Sequence, residues 1–245
     1  MDIRWFDQLE STNQYCKLLD PNGVEEFTVV CARSQTAGIG QQGNTWASAP
    51  GQNLTFSLIL KPRFMAAADQ YRLTMMLAVA VAETTHTLLA AHGATKPINI
   101  KWPNDIYVGD RKICGILTTC QVQGGRLTHA ICGIGLNANQ TTFPEWVPNP
   151  TSLKLESGHT YPLEPLLDTL LASIERHYRL LQTQPDAIRS AYLSRLYRLG
   201  QQAPYEYLGQ LLRATITGIS PFGQLLLHTD DGNQLTCNLK EVKYC

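Results

Sequence analysis

The sequence predicts an α+β fold over residues 1–200 and a small β-barrel or meander over residues 201–245. Three observations predict it. The length of 245 residues permits one large domain, or a medium domain plus a small one. Up to Gly200, apolar strand-like runs and apolar helical runs are both present. After Gly200 the texture changes to "QLLRATITGI", "QLLLHT", "NQLTCNL" and "KEVKY", short strands separated by "SPFG" and "DDG" turns.

Taken in order, "LESTNQYCKLL" places Ser11 three residues before Gln14, a capping-box start to an apolar helix. "EEFTVVCARS" reads as a strand, and "NLTFSLIL" as another with β-branched and aromatic content. A long helix is expected from a cap at Asp69 to a stop at Gly93. "INIKW" is strand-like, and "KICGILTTCQV" and "LTHAICGIGL" are two strands joined by a glycine turn. Helices are expected over 165–181, opened by Pro165, and over 185–199, opened by Pro185 and closed by Gly200.

Composition excludes several classes. Lys+Arg and Asp+Glu balance at 20 each, so no global field draws the chain to nucleic acid or membrane. The first residues, "MDIRWFDQLE", lack the apolar core of a signal peptide. The most apolar stretch is interrupted by Glu83, Thr84, Thr85 and His86, and reads as a buried helix. The seven cysteines follow no zinc spacing; Cys31, Cys114 and Cys132 lie in apolar strands and read as small buried hydrophobes. A reducing cytoplasm fits them.

Two stretches carry chemistry. "QTAGIGQQGNTW", residues 35–46, has glycines spaced G-x-G-x-x-G, yet no lysine or arginine occurs from Ser34 until Lys61. It is not a dinucleotide turn, because Pro50, Gly51 and a strand follow where a helix should open. A loop between two strands that folds over a ligand by its backbone N–H groups remains, as does a plain surface hairpin. "KWPNDIYVGDRKICGIL", residues 101–117, brings Lys101, Asn104, Asp105 and Lys112 within twelve positions. Two cations suit the charge that builds in acyl or phosphoryl transfer, and Asp105 suits Mg²⁺.

This second stretch resembles the biotin–protein ligases, through K-W-P-N-D (101–105), Arg111-Lys112 and Gly115-Ile116-Leu117. "ESTNQ" (10–14), the glycine loop, "GIGLN" (133–137) and "NPTSL" (149–153) resemble that family in the same order, and the C-terminal end is similar to its SH3-like domain. The resemblance implies a mixed or antiparallel sheet with packed helices, as in class II aminoacyl-tRNA synthetases and biotin ligases, followed by an SH3-like β-barrel. It implies a biotin–[acetyl-CoA-carboxylase] ligase that makes biotinyl-5′-AMP from biotin and ATP with Mg²⁺. The biotin then passes to a lysine of a biotin carboxyl-carrier protein.

Carried over by position, the resemblance gives Lys112, Lys101 and Asp105 catalytic roles. Lys112 would touch the biotin carboxylate and α-phosphate. Biotin would be held by Ser11, Thr12, Asn13, Gln35, Gly38, Lys112, Gly115, Leu117, Gly133 and Gly135, the last two leaving room for its rings. The nucleotide would be held by Gly40, Gln41, Gln42, Gly43, Asn44, Trp46, Asn104 and Asn137, with Trp46 stacked on adenine. Asp105 is placed either at Mg²⁺ or at the incoming lysine. Ser11 already belongs to this core, so neither a preceding DNA-binding domain nor a nucleic-acid partner is expected, and the oligomer is a monomer or homodimer. The departure is Ile39, with Gln41, Gln42 and Asn44, where the family loop is rich in arginine. That leaves two lesser readings open: a weakened or inactive paralogue that binds without transfer, and a lipoate–protein ligase.

Overall fold

A computed structural model describes residues 1–245, apart from the side chain of Gln42. Seven strands form the first sheet in the order β1-β2-β3-β7-β6-β5-β4, and five form the second in the order β11-β10-β9-β8-β12. The first sheet is mixed for a simple reason. β1 (Asp2–Leu9) and β2 (Thr28–Gln35) run parallel, and a parallel pair needs a crossover, which α1 (Thr12–Leu18) supplies. Every other neighbour in that sheet is antiparallel: β3 (Leu54–Leu60), β4 (Ile98–Lys101), β5 (Asp105–Val108), β6 (Arg111–Gln123) and β7 (Arg126–Leu136). The β6–β7 turn needs left-handed backbone at two successive residues, and Gly124 and Gly125 provide it at φ 59° and 75°.

One face of the sheet is covered by α2 (Gln70–Ala90), with α4 (Leu163–Thr183) and α5 (Pro185–Ser194) packed on α2. Met75 through Ala82 are all buried, because α2 is enclosed on every side. This is the apolar stretch long enough to cross a membrane, and it serves as the core helix. α4 buries Leu163, Leu166, Leu167, Leu170, Leu171, Ile174, Tyr178 and Leu181 at spacings of three and four, the stripe of a helix with one wet face. The short α1 covers the opposite face of the sheet, where Cys16 and Val24 meet Val30, Ile59 and Ile131.

Several boundaries differ from the sequence expectation. β1 and β5 were not expected as strands, nor was the short α3 (Leu153–Ser157). Asp69 precedes α2 without a side-chain cap and instead pairs with Arg72 at 3.2 Å. α4 begins at Leu163, two residues before Pro165. α5 stops at Ser194, five residues early, because the following chain turns to cover a sheet edge. There Ile100 N–H donates to Arg195 O at 2.8 Å, and Tyr197 N–H to Ile100 O at 2.9 Å. The open edge at β4 is thereby paired. The second sheet is antiparallel and comprises β8 (Gln202–Tyr207), β9 (Gln210–Ile219), β10 (Leu225–Thr229), β11 (Gln234–Cys237) and β12 (Val242–Tyr244).

Cys31, Cys114 and Cys132 are fully buried, and burial pushes the Cys31 thiol up to about 12. No disulfide joins the cysteines among the described residues. These thiols pack as hydrophobes.

Candidate active site

Side chains alternate along a strand, so one residue in two reaches the α1 face. Across the sheet, one row on that face reads Thr55, Gly135, Gly115, Asp105, Lys101, and the next reads Ser57, Gly133, Leu117. The glycines leave the middle of both rows without side chains. A methyl group built at Gly135 would overlap the indole of Trp46, and one at Gly115 would lie 3.0 Å from it. Trp46 therefore lies flat against the bare row. At Gly133 the space is faced instead by Asn13, whose Nδ2 would lie 3.3 Å from such a methyl.

Lys112 should point away from this face, since it is three residues from Gly115. The pairing of β5 with β6 skips Ile113: Ile106 faces Cys114, and Tyr107 faces Lys112. This bulge returns Lys112 to the site face, a use of bulges that recurs beside functional sites. The Lys112 ammonium lies 2.7 Å from the Asp105 carboxylate and 5.7 Å from the centre of a Trp46 ring. Behind it, Lys112 N–H donates to Asn149 O and Thr151 N–H to Lys112 O, so the "NPTSL" segment backs the lysine.

The N-terminus of α1 closes the other end. Ser11 caps the helix, the Thr12 N–H donates to Gln35 Oε1 at 2.8 Å, and the Thr12 and Ser57 hydroxyls are 2.9 Å apart. Asn13 is 3% exposed, yet neither its Oδ1 nor its Nδ2 has a partner among the described residues. A buried amide without protein partners is costly, so both ends of this one are open to a water or a ligand.

The glycine loop forms the lid wall. Ile39 pairs with Thr45, Trp46 N–H donates to Gly38 O at 2.9 Å, and Gly40 N–H to Asn44 O at 2.6 Å. The loop is a miniature hairpin whose turn, Gln41–Gly43, is a single 3₁₀ turn. From Ser34 through Leu60 the chain carries no charged side chain of either sign.

These walls enclose a cavity of about 170 Å³. It brings together Ser11, Thr12, Asn13, Gln35, Gly40, Gln41, Asn44, Trp46, Asn104, Asp105, Lys112, Gly115, Leu117, Gly133 and Gly135. Gly43 and Asn137 instead line a second cavity of about 510 Å³, which shares Lys112, Trp46 and Asn44 with the first. Gly38 faces a third hollow, behind the hairpin. Gln42 lies outside the described side chains. Asn104 is spent structurally, donating to Ile116 O. Asn137 donates to Thr151 O at 2.9 Å, while its Oδ1 is buried without a partner.

Lys101 departs from the sequence expectation, because it lines neither cavity. It lies on the same sheet face but one strand further out, 3.3 Å from the Tyr107 hydroxyl and 4.7 Å over the Tyr244 ring. Burial lowers its pKa, Asp105 opposes that shift, and Lys112 and Arg198 add to it. The sequence reading also passed over Trp146. It lines the second cavity, with Phe143, and is 61% exposed. A tryptophan set between Pro144 and Pro148 was the available signal.

Asp105 is the one carboxylate among the residues lining the first cavity and is paired with Lys112, and no cluster of three His, Cys, Asp or Glu occurs among the described residues.

Comparison with known proteins matches this architecture. The family model described as "Biotin/lipoate A/B protein ligase family" matches residues 5–137. A bifunctional ligase/repressor BirA of Bacillus spizizenii is 33% identical over 230 residues, covering 92% of this chain and 69% of that one. A biotin–[acetyl-CoA-carboxylase] ligase of Paracoccus denitrificans is 31% identical, covering 92% of this chain and 94% of that one. The biotin protein ligase of Aquifex aeolicus, solved with biotin and ATP, superposes with a TM-score of 0.81 at 23% identity, over 100% of this chain and 99% of that one. That likeness is one of fold, and the fold is the biotin protein ligase fold with a second antiparallel sheet at its C-terminal end. With the family model spanning more than half of the chain, and relatives above 30% identity spanning nearly all of it, this chain belongs to the biotin/lipoate A/B protein ligase family.

Proposed function

We propose that this chain is an ATP-dependent biotin–protein ligase that forms biotinyl-5′-AMP and then transfers biotin to a lysine of an acceptor protein. The observation that carries the reading is the position of Lys112, whose side chain borders both cavities at once. A carboxylate in the first cavity and an α-phosphate in the second would meet at its ammonium.

In the first step a biotin carboxylate oxygen attacks the α-phosphorus. An O–P bond forms, the bond to the β-phosphate oxygen breaks, and pyrophosphate leaves. Two anions must approach, so a fixed cation and a fixed geometry are the protein's main contributions. The unpartnered Asn13 amide, with both a donor and an acceptor, matches the C=O and N–H edge of a ureido ring. Ser11, Thr12 and Gln35 stand beside it. In the second cavity Asn137 Oδ1 and the exposed Trp146 suit an adenine or ribose, and Trp46 forms the partition between the two ligands. In the second step the acceptor amine attacks the acyl carbon and AMP leaves. Asp105 is suited to orient the incoming ammonium once Lys112 turns to the ligand. We assign Mg²⁺ to the ATP it accompanies, not to a protein site.

The acceptor we propose is a biotin carboxyl-carrier domain, met in the cytoplasm by a monomer or homodimer, with residues 1–200 as catalytic domain and 201–245 as an SH3-like end domain. The uncharged loop favours one second reading: a paralogue that holds biotin or its adenylate but turns over slowly. Incubation with ATP, Mg²⁺, labelled biotin and a carrier domain separates the two, with lipoate as competing acid. Labelling of the carrier, abolished in Lys112→Ala, supports the ligase. Binding of biotin without labelling supports the paralogue. Preferential use of lipoate would overturn both.

A further inference from the structure

Two tyrosines converge on the turn that delivers Asp105. Trp102, Pro103 and Asn104 join β4 to β5, and Lys101 faces Asp105 as the closing pair of that hairpin. Tyr71 stands in the first turn of α2, and Tyr192 near the end of α5. The Tyr71 hydroxyl lies 3.0 Å from Pro103 O and the Tyr192 hydroxyl 3.2 Å from it, and the two hydroxyls are 2.9 Å apart. Tyr192 is fully buried. Burial raises the pKa of both phenols, so each keeps the proton it has to donate.

A carbonyl oxygen has two lone pairs, and each hydroxyl has one proton. Both hydroxyls can donate to Pro103 O, or one can donate to the other, which then donates to Pro103 O. In either arrangement the carbonyl keeps a donor. One donor would satisfy this oxygen, and a polar group costs free energy to bury. The second hydroxyl is a surplus that fixes the turn in place.

The other two residues of the turn are held as well. Trp102 Nε1–H donates to Gly223 O at 2.8 Å. The Asn104 side chain donates to Ile116 O, and Ile116 N–H donates back to Asn104 O at 3.1 Å. Gly223 also seats the ring of Tyr71, because a methyl group built there would overlap it. The residue that emerges from this turn is Asp105, whose carboxylate stands 2.7 Å from the Lys112 ammonium and whose backbone faces Gly115. Pro103 itself lines the first cavity, whereas neither tyrosine does.

We propose that Tyr71 and Tyr192 are positioning residues for the transfer step: by fixing Pro103 O they hold the Asp105 carboxylate where the acceptor amine must pass. The assignment rests on the reading of Asp105 as the group that orients that amine. It concerns the second half-reaction, because the first depends on Lys112, which β6 and the 149–153 segment hold independently.

The test uses the full chain and the variants Tyr71→Phe, Tyr192→Phe and both together, each alone and combined with Asp105→Asn. Single-turnover transfer from preformed biotinyl-5′-AMP gives the maximal rate and the half-saturating concentration of a carrier domain. ATP–pyrophosphate exchange reads the first step. Tyr71→Phe removes the hydroxyl bonded to both partners and should slow maximal transfer by about threefold, and Tyr192→Phe by under about twofold. The double variant leaves the carbonyl without a donor and should lose about tenfold. Half-saturation by carrier and the exchange rate should stay within about twofold of the parent. Beside Asp105→Asn the two Phe substitutions should cost under about twofold more, since the group they position is gone. That coupling separates positioning from a general loosening of the fold.

A double variant within twofold of the parent in transfer would overturn the proposal. So would an equal loss in exchange and transfer, or a tenfold loss that persists beside Asp105→Asn. Should the double variant fail to fold, the same cycle on Tyr71→Phe decides, and a threefold loss that persists beside Asp105→Asn overturns it. A parent that transfers no biotin fails the ligase reading and takes the proposal with it, whereas a working parent with unaffected variants overturns the proposal alone.

Discussion

The two walls of the cleft are built on opposite principles. The strand wall, β5 and β6, carries Asp105 and Lys112, and each is fixed by sheet pairing and by the 149–153 segment behind it. The loop wall, residues 36–48, carries no charge, and several of its backbone groups bond within its own small hairpin. Charge therefore resides on the paired strands, and the loop wall contributes shape, through Trp46 laid on two glycines. A preorganised charge needs no reorganisation as the reaction proceeds, whereas a neutral lid can open without separating an ion pair.

Four experiments break or sharpen that contrast. The largest effect is expected from Lys112→Ala. Removing the one cation that borders both cavities should slow adenylate formation by about 10²–10³-fold in pyrophosphate exchange. A loss under about threefold would place the operative charge elsewhere and dissolve the contrast. Next is Gly135→Ala, which leaves every charge in place and pushes a methyl group into the Trp46 indole. Ligand affinity should fall by roughly tenfold, and tryptophan fluorescence should shift, if the lid needs that bare surface. Unchanged fluorescence and affinity would mean that Trp46 has another seat. Ile39→Arg puts charge on the loop wall, since Ile39 lines the first cavity. A rise of about threefold in adenylation is expected from an added charge-assisted contact. No change in rate or affinity would show that the strand wall alone suffices.

The smallest effect concerns the backing of the strand wall. Burial pushes the Glu156 carboxyl up, but hydrogen bonds from Lys96 and Thr151, with the charges of Lys96 and Arg111, outweigh it and leave the pKa lowered. The Thr151 hydroxyl donates to this carboxylate at 2.6 Å. A carboxylate lowered in the folded state stabilises it above its unfolded pKa, and that contribution fades as pH falls through the folded value. Glu156→Gln should therefore lower stability by up to about 1 kcal/mol at pH 7 and by nothing at pH 2, as measured by urea unfolding. An equal deficit at both pH values would assign the effect to packing.

Much of the fold was legible because it rests on local rules. Glycine turns, cap residues and apolar periodicity marked β2, β3, β6, β7, α1, α2 and α4. β1 was hidden because an edge strand with Asp2, Arg4 and Asp7 is half wet and shows little apolar alternation. β5 was hidden inside a motif read for its chemistry, and its four residues are too few to carry a period. The early end of α5 is a tertiary effect, decided by Ile100 of another strand.

The site was legible unevenly for the same reason. Ser11, Thr12 and Lys112 stood out by motif, whereas the place of Lys101 beside Tyr107 and Tyr244 depends on the second sheet folding back. Trp146 went unread because its loop carries no spacing rule, and its exposure is visible only in three dimensions.

The skipped residue at Ile113 has a consequence of its own. Which side of the sheet receives the reactive ammonium is a matter of parity, odd or even, and the parity is set by one surplus residue. Deleting Ile113 would leave Lys112 two residues from Gly115, so plain alternation would hold the ammonium on the site face with no bulge at all. Straightening the bulge without removing a residue is the damaging change, because Lys112 would then be three residues from Gly115 and turn toward the helices. Two chains with the same K-W-P-N-D and R-K strings can thus place the lysine alike although the number of residues between Asp105 and Gly115 differs by one, provided that the longer one keeps the bulge.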